Sequence, residues 1–233
     1  MIKAITGYEN QGYRVSIRRS APKDKEAIYS AYQDREFVRL FRSNTPRLSI
    51  EELEQDLANR ENLDPAQAGF VEFIIEHPKK GAIGMMVLCD YSARHNRAEF
   101  LIGIFDKESR TSGLGVDATL LILDLAYNRF GLNKIYLYSY GYNHYAFRSG
   151  LSLGFKHEAT LRQFHYSEVD KKFVDLRMSS LLLSEYRTSG RIAKLSRRLM
   201  GVDITQAPST AQPLPMTDEQ KQAVLKMIKD KFA

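Results

Sequence analysis

The chain has 233 residues, 27% of them charged and 43% hydrophobic, with a formal net charge of +6. This length suits one sizeable α/β domain plus an appendage, since domains commonly hold about 100 to 200 residues. No segment approaches the roughly 18 apolar residues of a membrane span, and the first residues lack the apolar run of a secretory signal. Cys89 is the only cysteine, which excludes an intrachain disulfide and a cysteine-rich metal site and fits a reducing cytoplasm. We therefore expect a soluble, cytoplasmic protein.

The positive charge is concentrated at the C-terminal end. Residues 185–233 carry nine basic and five acidic side chains, so the rest of the chain is close to neutral. A basic protein can bind nucleic acid, but no basic motif interleaved with aromatic residues accompanies this charge. We do not expect a nucleic-acid partner.

The N-terminal part predicts a strand followed by two helices. Residues 14–19 alternate apolar and polar side chains, a period of two that indicates a strand. Pro22 suits the first turn of a helix that carries apolar residues at helical spacing. Ser49 and Glu52 have the spacing of a capping box, so a second helix is expected to run from there towards Asn62.

The middle of the chain predicts the order β-β-β-α-β-α-β-β. Short runs rich in apolar and β-forming residues alternate with two segments of helical spacing, each followed by a glycine that can end a helix. The predicted strands are 70–76, 83–88, 99–105, 134–140, 155–166 and 172–183, and the predicted helices are 113–130 and 143–153.

Residues 187–233 differ in character, and we predict a basic helical extension there, after a domain spanning residues 1–186. Apolar side chains from Ile192 to Met200 recur at helical spacing in a basic segment that Gly201 can cap. Ala207–Pro215 contains three prolines and reads as a linker, and a last helix is predicted from Thr217. The basic face of the extension could bind an acidic partner or a second copy of the chain; a solvated helix face is the alternative.

The segment Arg110–Gly115 follows a predicted strand and opens a predicted helix. Free backbone N–H groups and the positive end of a helix dipole meet there, which suits an anion. Glycine at Gly113 and Gly115 allows a diphosphate to approach the backbone, and Arg110 would add a cation. Neither the phosphate loop of nucleoside triphosphatases nor the dinucleotide-binding glycine pattern is present. A helix N-cap with flexible glycines is the alternative interpretation.

The spacing in this loop, Arg110-Thr111-Ser112-Gly113-Leu114-Gly115, resembles motif A of the GNAT acetyltransferases. A second motif of that family follows, with an asparagine opening a helix, a small residue three positions on and Gly-Phe eleven and twelve positions on. The segments 132–137 and 174–178 resemble the fifth and last strands of the family, so the resemblance covers roughly residues 14 to 183. The branch that it most resembles contains spermidine and ribosomal-protein N-terminal acetyltransferases. The residues of the second motif are Asn143, Ala146, Gly154 and Phe155.

This resemblance implies a mixed α/β fold with a splayed, mostly antiparallel sheet of about six to seven strands flanked by helices. It implies acetyl-CoA, or another short acyl-CoA, as co-substrate, an amine as acceptor, direct attack on the thioester and no metal. Backbone N–H groups at Ile104 and Phe105 would bind the pantetheine and polarise the thioester carbonyl. The implied cofactor-binding residues are Ile104, Phe105, Arg110, Thr111, Ser112, Gly113, Leu114, Gly115, Val116, Asn143, Ala146 and Phe147.

The resemblance also suggests catalytic residues. Glu99 is the candidate base, acting through water, although a strand-end charge paired with Arg97 or Arg94 is the alternative. Asn143 would hold pantetheine or orient a water. The alternative is that it serves only as a helix N-cap, which would show the same sequence pattern. Many relatives place a proton-donating tyrosine seven residues after this asparagine, where this chain has Gly150. Tyr145 is a nearby candidate acid, and packing in the core is the alternative.

Two further questions remain open at the level of sequence. The Gly150 departure permits a non-catalytic GNAT-like module that binds an acyl-CoA as a sensor or scaffold. The acceptor would be a small molecule, an amino sugar or a peptide N-terminus, shaped by the segment Phe37–Pro46. Arg39, Arg42 and Arg47 suggest an acidic or phosphate-bearing acceptor.

Overall fold

The computed structural model describes residues 9–41, 49–61, 63–105 and 107–207, which form one eight-stranded sheet flanked by helices. The strands are β1 (Asn10–Gln11), β2 (Ser16–Arg19), β3 (Val71–His77), β4 (Gly81–Ser92), β5 (Arg97–Ile104), β6 (Lys134–Tyr140), β7 (Lys156–Ser167) and β8 (Lys172–Leu182). The α-helices are α1 (Lys25–Gln33), α2 (Arg35–Leu40), α3 (Ile50–Arg60), α4 (Pro65–Ala68), α5 (Lys107–Thr111), α6 (Leu114–Asp124), α7 (His144–Ser152), α8 (Leu183–Thr188) and α9 (Gly190–Met200).

The strands lie in the order β1-β2-β3-β4-β5-β6-β8-β7, and every neighbouring pair is antiparallel except β5 and β6. Those two strands are parallel and pair at only three positions, ending at Glu99 and Tyr136. Beyond that point they separate. The predicted mixed α/β fold with a splayed, mostly antiparallel sheet is confirmed. Its strand count is eight rather than six to seven, because the two-residue strand β1, which has no sequence pattern of its own, pairs with β2.

Helices cover both faces of the sheet, which gives the molecule two main apolar clusters. The larger cluster lies on the α6 face and includes Leu120 and Leu121, both fully buried. The smaller one lies under α1, α2 and α3 and includes Ile28, Phe37 and Leu57. Burying a leucine, isoleucine or phenylalanine side chain contributes roughly 1.5–3 kcal/mol. Each face of the sheet is therefore stabilised by its own apolar cluster. The gap between β5 and β6 opens within the sheet that separates these clusters.

Two local predictions needed correction around the glycine loop. The segment between β5 and Gly113 was expected to be a loop, but it contains the short helix α5. The helix predicted over 113–130 is α-helical only to Asp124 and continues as a π-helix over Leu125–Arg129. Gly131, at a φ of 66°, follows it as the predicted stop. The capping box of Ser49 and Glu52 is confirmed in both directions.

The basic helix α9 packs on the main cluster through one face. Ile192 and Ala193 are buried, and the Tyr13 N–H donates to the Leu199 carbonyl at 3.1 Å. Gly201 ends the helix at a φ of 79°, as its position predicted. The domain division at residue 186 stays a prediction. The predicted linker after Ala207 and the predicted last helix lie outside the described residues. No helix in the described part of the chain has the length and apolar character of a membrane span.

Candidate active site

The separation of β5 and β6 opens the edge of β5 to ligands. The Phe105 N–H donates to the Ile83 carbonyl at 2.8 Å. Because N–H groups alternate between the two sides of a strand in an antiparallel ladder, those of Ile102 and Ile104 are directed towards β6. Ile104 can therefore donate into the gap. The prediction for Phe105 needs correction, since its N–H is already bonded within the sheet.

A cavity of about 440 Å³ occupies the gap and extends beneath α6 and α7. We call it the gap cavity. Most of its wall is apolar. The predicted site residues that line it are Ile104, Arg110, Thr111, Gly113, Gly115, Val116, Asn143, Tyr145 and Ala146. Those that do not line it are Glu99, Phe105, Ser112, Leu114 and Phe147.

The glycine loop has the backbone shape that an anion site requires. Gly113 is the N-cap of α6 and has a φ of 82°, which side-chain-bearing residues rarely adopt. A Cβ on Gly115 would lie 3.9 and 4.0 Å from the side chains of Ile104 and Ile102, so this residue faces the gap. N–H groups of the first helical turn have no intrahelical acceptor, and the helix dipole is positive there. The start of α6 can thus bind a phosphate group.

The predicted phosphate-binding role of Arg110 stays a prediction, and its side chain has other partners within the protein. Its Nε donates to the Ile104 carbonyl at 3.0 Å and its Nη2 to the Phe105 carbonyl at 3.0 Å. The same guanidinium lies 3.4 Å from the Asp34 carboxylate and 3.3 Å from the Glu36 carboxylate on α2. Arg110 therefore joins the end of β5 to α2, and its charge is compensated inside the protein.

Arg14 is a second cation at the loop, and no sequence pattern pointed to it. Its guanidinium forms two hydrogen bonds with the Asp117 carboxylate in the first turn of α6, at 2.6 and 2.7 Å. It also lies 3.3 Å from the Ser112 carbonyl and 3.4 Å from the Gly113 carbonyl. The Asp117 hydrogen bond raises the pKa of Arg14. The partners are about a hundred residues apart in sequence, so no local pattern could have indicated this support of the loop.

Helix α7 forms the opposite wall. Asn143 is its N-cap, and its Oδ1 accepts from the Ala146 N–H at 3.0 Å, which leaves its Nδ2 as a donor near the cavity. Tyr145 is 69% exposed, so it does not pack in the core. Gly150 is buried and lines the cavity, and a Cβ there would lie 3.6 Å from Leu137. The position at which relatives carry a tyrosine therefore faces the gap.

Ser139, on β6, is a further polar group in the gap cavity that sequence reasoning missed. It is 4% exposed, and its hydroxyl has no hydrogen-bond partner among the described residues. Buried hydroxyls are almost always hydrogen-bonded, and leaving one unpaired costs about 1–3 kcal/mol. A ligand in the gap cavity would supply the missing partner. The sequence shows only one serine in an aromatic strand, which is not a distinctive signal.

Glu99, the predicted base, is buried at the last β5–β6 pair. Paired residues of neighbouring strands share a face, so its side chain lies on the Tyr136 side of the sheet. Arg97, the alternative partner considered for it, instead contacts Asp90 and Tyr136. Burial raises the pKa of Tyr136, and its hydrogen bond to Asp90 adds to this. The base role of Glu99 stays a prediction.

A second cavity of about 720 Å³ is lined by residues of α1, α2, β6 and the β7–β8 hairpin. We call it the tyrosine cavity, because its wall includes Tyr32, Tyr140, Tyr142 and Tyr166. Tyr140 and Tyr142 stack with ring centroids 5.1 Å apart. The Tyr142 hydroxyl donates to the Arg39 carbonyl at 2.6 Å, and burial raises the pKa of Tyr142 to about 12. Phe41 and Tyr140 line both cavities, so the two cavities meet at these side chains.

Comparison with known proteins agrees with this geometry. The family model of the acetyltransferase (GNAT) domain matches residues 14–156, more than half of the chain. The chain therefore belongs to the GNAT acetyltransferase family, and it is an N-acetyltransferase that uses acetyl-CoA. No curated protein sequence matches the chain at a significant level.

Two solved structures illustrate the similarity of fold. One is the spermidine N-acetyltransferase of Vibrio cholerae in complex with CoA and spermine, with 23% identity and a TM-score of 0.65 over 74% of this chain and 98% of that chain. The other is a mutant of the spermidine N-acetyltransferase SpeG from the same organism, with 25% identity and a TM-score of 0.65 over 74% of this chain and 96% of that chain. These likenesses support the fold, whereas the acceptor of this chain has to be argued from its own residues.

Proposed function

We propose that this chain transfers an acetyl group from acetyl-CoA to the primary amine of a small molecule, an amino sugar or a peptide N-terminus by direct attack. One observation carries the proposal. The gap cavity and the tyrosine cavity share Phe41 and Tyr140 in their walls, near the point where β5 and β6 separate. Two substrates, one in each cavity, can therefore meet at one point. In a neighbour of the same fold, CoA and spermine are bound together.

The residues of the gap cavity fit acetyl-CoA, which supplies an activated acetyl thioester when bound. The start of α6 at Gly113 would hold the diphosphate, with Arg14 and Asp117 fixing the loop. The Ile104 N–H on the open edge of β5 would bind the pantetheine arm, and Ser139 offers a buried hydroxyl that has no partner in the described part of the chain. Pre-organised donors of this kind commonly contribute about 3 kcal/mol each to lowering a barrier.

The chemical step needs little more than alignment and a route for one proton. The amine nitrogen bonds to the thioester carbonyl carbon, the carbon–sulfur bond breaks, and the proton that the amine loses ends on the sulfur of coenzyme A. Alignment of two bound reactants lowers the barrier by converting a bimolecular step into an effectively unimolecular one. We assign proton removal to Glu99 through water along the tyrosine face, and proton return to Tyr145 or solvent, because Tyr145 lines the gap cavity and is exposed.

The proposal is tested by calorimetry with acetyl-CoA and by release of free thiol in the presence of a broad panel of amines, amino sugars and peptides. Binding in the micromolar range and thiol release with at least one acceptor are expected. Glu99→Gln should lower the rate of thiol release and remove the fall in that rate that protonation of the base causes at low pH. Glu108→Gln, at an exposed site beside the loop, should leave the pH profile unchanged. Binding of acetyl-CoA without thiol release with any acceptor would favour the non-catalytic module instead.

A further inference from the structure

The tyrosine cavity has more cationic than acidic side chains in the described part of its wall. Arg35, Arg39 and Lys171 line it, and Glu168 is the acid among its described lining residues. Glu168 is already bonded to Lys171 at 2.8 Å. The nearby Asp170, on the same turn between β7 and β8, pairs with the Arg39 Nε at 3.1 Å. The carboxylates described at this cavity are therefore compensated by the protein itself.

The two arginines retain hydrogen-bond donors. Arg39 uses its Nε for Asp170, and its guanidinium stacks 4.7 Å above the Tyr142 ring. The Nη groups of Arg39 form no hydrogen bond within the described residues. Arg35 is exposed at the start of α2, and its Nη2 makes one contact, 3.5 Å from the Val169 carbonyl. A guanidinium with free N–H groups in a fixed plane is well suited to binding a carboxylate or a phosphate.

These charges do not suit an acceptor that is itself a polycation. Binding a polyamine calls for carboxylates whose charge is not already compensated, and a like charge facing a ligand opposes binding. Here a polyamine would meet Arg35 and Arg39 instead. The cavity volume of about 720 Å³ lies in the usual range of about 300–1,000 Å³ for sites that hold a drug-sized ligand. The stacked Tyr140 and Tyr142 also offer an aromatic surface for a planar ring.

We propose that the acceptor amine carries an anionic group, a phosphate or a carboxylate, which Arg35 and Arg39 bind in the tyrosine cavity while the amine extends past Tyr140 to the gap between β5 and β6. This inference rests on the proposed acetyl transfer and narrows its acceptor. A nucleotide-linked amino sugar and a peptide N-terminus with an acidic side chain share this chemistry.

Matched probes with and without the anion test the proposal. Calorimetry in the presence of saturating CoA compares UDP-glucosamine with glucosamine, a glutamate-containing dipeptide with its glutamine counterpart, and both pairs with spermidine. The anionic member of at least one pair should bind about tenfold or more tightly than its neutral counterpart and than spermidine, in line with a charge-assisted hydrogen bond. The pair that shows the difference identifies phosphate or carboxylate. Equal affinities within both pairs, or tightest binding of spermidine, would overturn the proposal.

Substitutions then separate a specific site from a general charge effect. Arg35→Gln and Arg39→Gln should each weaken binding of the preferred anionic probe about tenfold and leave glucosamine unaffected. Arg198→Gln, on the exposed face of α9 away from the cavity, removes the same charge and serves as the matched control. Equal losses in Arg198→Gln and in the cavity variants would contradict a specific site.

Failure of this inference is distinguishable from failure of the proposed transfer. Acetylation of spermidine in preference to the anionic probes would preserve the transferase function and remove the anionic acceptor. Tight binding of an anionic probe without thiol release would preserve the anion site and remove the transfer step.

Discussion

The gap cavity and the tyrosine cavity are built from different kinds of chemical group. The gap cavity presents backbone: the start of α6 at Gly113, the open edge of β5 at Ile104 and an apolar wall. The tyrosine cavity presents side chains, with arginines on α2 opposing tyrosines on β6 and residues of the β7–β8 turn. Acetyl-CoA can be bound by backbone geometry, which depends little on the identity of the side chains. The acceptor would be bound by side chains, which can be exchanged without altering the sheet.

The two kinds of group also differ in the conformational entropy that they lose when a ligand binds. Backbone donors at a strand edge or a helix start are held by the secondary structure around them, so they are pre-organised at little entropic cost. Long side chains such as Arg39 lose rotamer freedom when they bind, which costs up to about 2 kcal/mol. Pairing of Arg39 with Asp170 and its stacking on Tyr142 restrict that freedom before a ligand arrives.

The largest effect is expected at Gly113, where the comparison predicts that backbone shape alone decides cofactor binding. Gly113→Val places a β-branched side chain at a φ of 82°, which costs roughly 1–3 kcal/mol or forces the loop to change shape. We expect affinity for acetyl-CoA, measured by calorimetry, to fall about 100-fold, in line with about 3 kcal/mol of lost binding.

Gly69 provides the control, because it also has a positive φ, of 75°, and lies at the end of α4 away from both cavities. Gly69→Val should lower the melting temperature by a similar amount and leave acetyl-CoA affinity unchanged. If both variants lost affinity alike, binding would depend on overall stability rather than on the shape of the loop.

Ser139 tests a buried hydroxyl in the gap cavity that has no hydrogen-bond partner among the described residues. Ser139→Ala should lower kcat/KM for acetyl-CoA up to about tenfold, the worth of one buried neutral hydrogen bond. The free energy of unfolding without ligand should stay the same or rise, because an unsatisfied hydroxyl is removed. Kinetics of thiol release and denaturant unfolding measure the two effects.

Ser179, on β8, offers a matched substitution. It is equally buried and equally unpaired among the described residues, but it lines neither cavity. Ser179→Ala should reproduce the stability result and show no kinetic change. A kinetic loss of the same size at Ser179 would mean that Ser139 has no special relation to the ligand.

Many of the predicted site residues line the gap cavity, because the patterns that selected them are local. The pattern Arg110–Gly115 and the cap at Asn143 depend on residues within one turn of one helix, and period-two and helical spacing gave all the long strands and both helices of this half. The gap itself was predicted only from the resemblance to the family. The sequences of the two strands do not indicate that their parallel pairing ends at Glu99 and Tyr136.

The sequence did not predict the direction in which the charged side chains point. Arg110 was expected to face a phosphate, yet carbonyls at the end of β5 and carboxylates of α2 bind it, and this choice depends on the short helix α5 that the glycine pattern concealed. Arg14 and the tyrosine cavity join segments far apart in the chain. Contacts of that range are decided by tertiary packing, which no local pattern encodes.

The Arg110 side chain connects the end of β5, at the gap cavity, with α2, at the tyrosine cavity. Removing it should weaken binding in both cavities. Arg110→Gln loses two hydrogen bonds to strand carbonyls and two ion pairs with α2. We expect the free energy of unfolding to fall by roughly 2 kcal/mol, with several-fold losses in acetyl-CoA affinity and in acceptor KM. Arg197→Gln, at an exposed pair with Asp203, should change neither. A loss in acetyl-CoA affinity alone, or in acceptor KM alone, would show that the two cavities act independently.

The smallest effect concerns the acid dependence of that connection. Asp34 accepts a hydrogen bond from the Glu36 N–H at the start of α2, and this bond together with Arg110 lowers the pKa of Asp34. A carboxyl whose folded-state pKa lies below its unfolded value contributes stability above the unfolded pKa, near 4, and loses it as the pH falls through the folded value. Asp34→Asn keeps the helix cap, since asparagine caps as well as aspartate, but removes the charge.

The variant should therefore melt slightly below the natural protein at pH 7, by at most about 2 °C because the pair is partly exposed to solvent. The two proteins should converge as the pH falls below the unfolded value of about 4 and then through the lowered pKa of Asp34, below which the natural carboxylate is also protonated. Thermal unfolding across that range measures the difference. A gap in melting temperature that did not narrow as the pH falls below about 4 would mean that the Asp34 side chain acts through its shape rather than its charge, and that Arg110 is held chiefly by the carbonyls of β5.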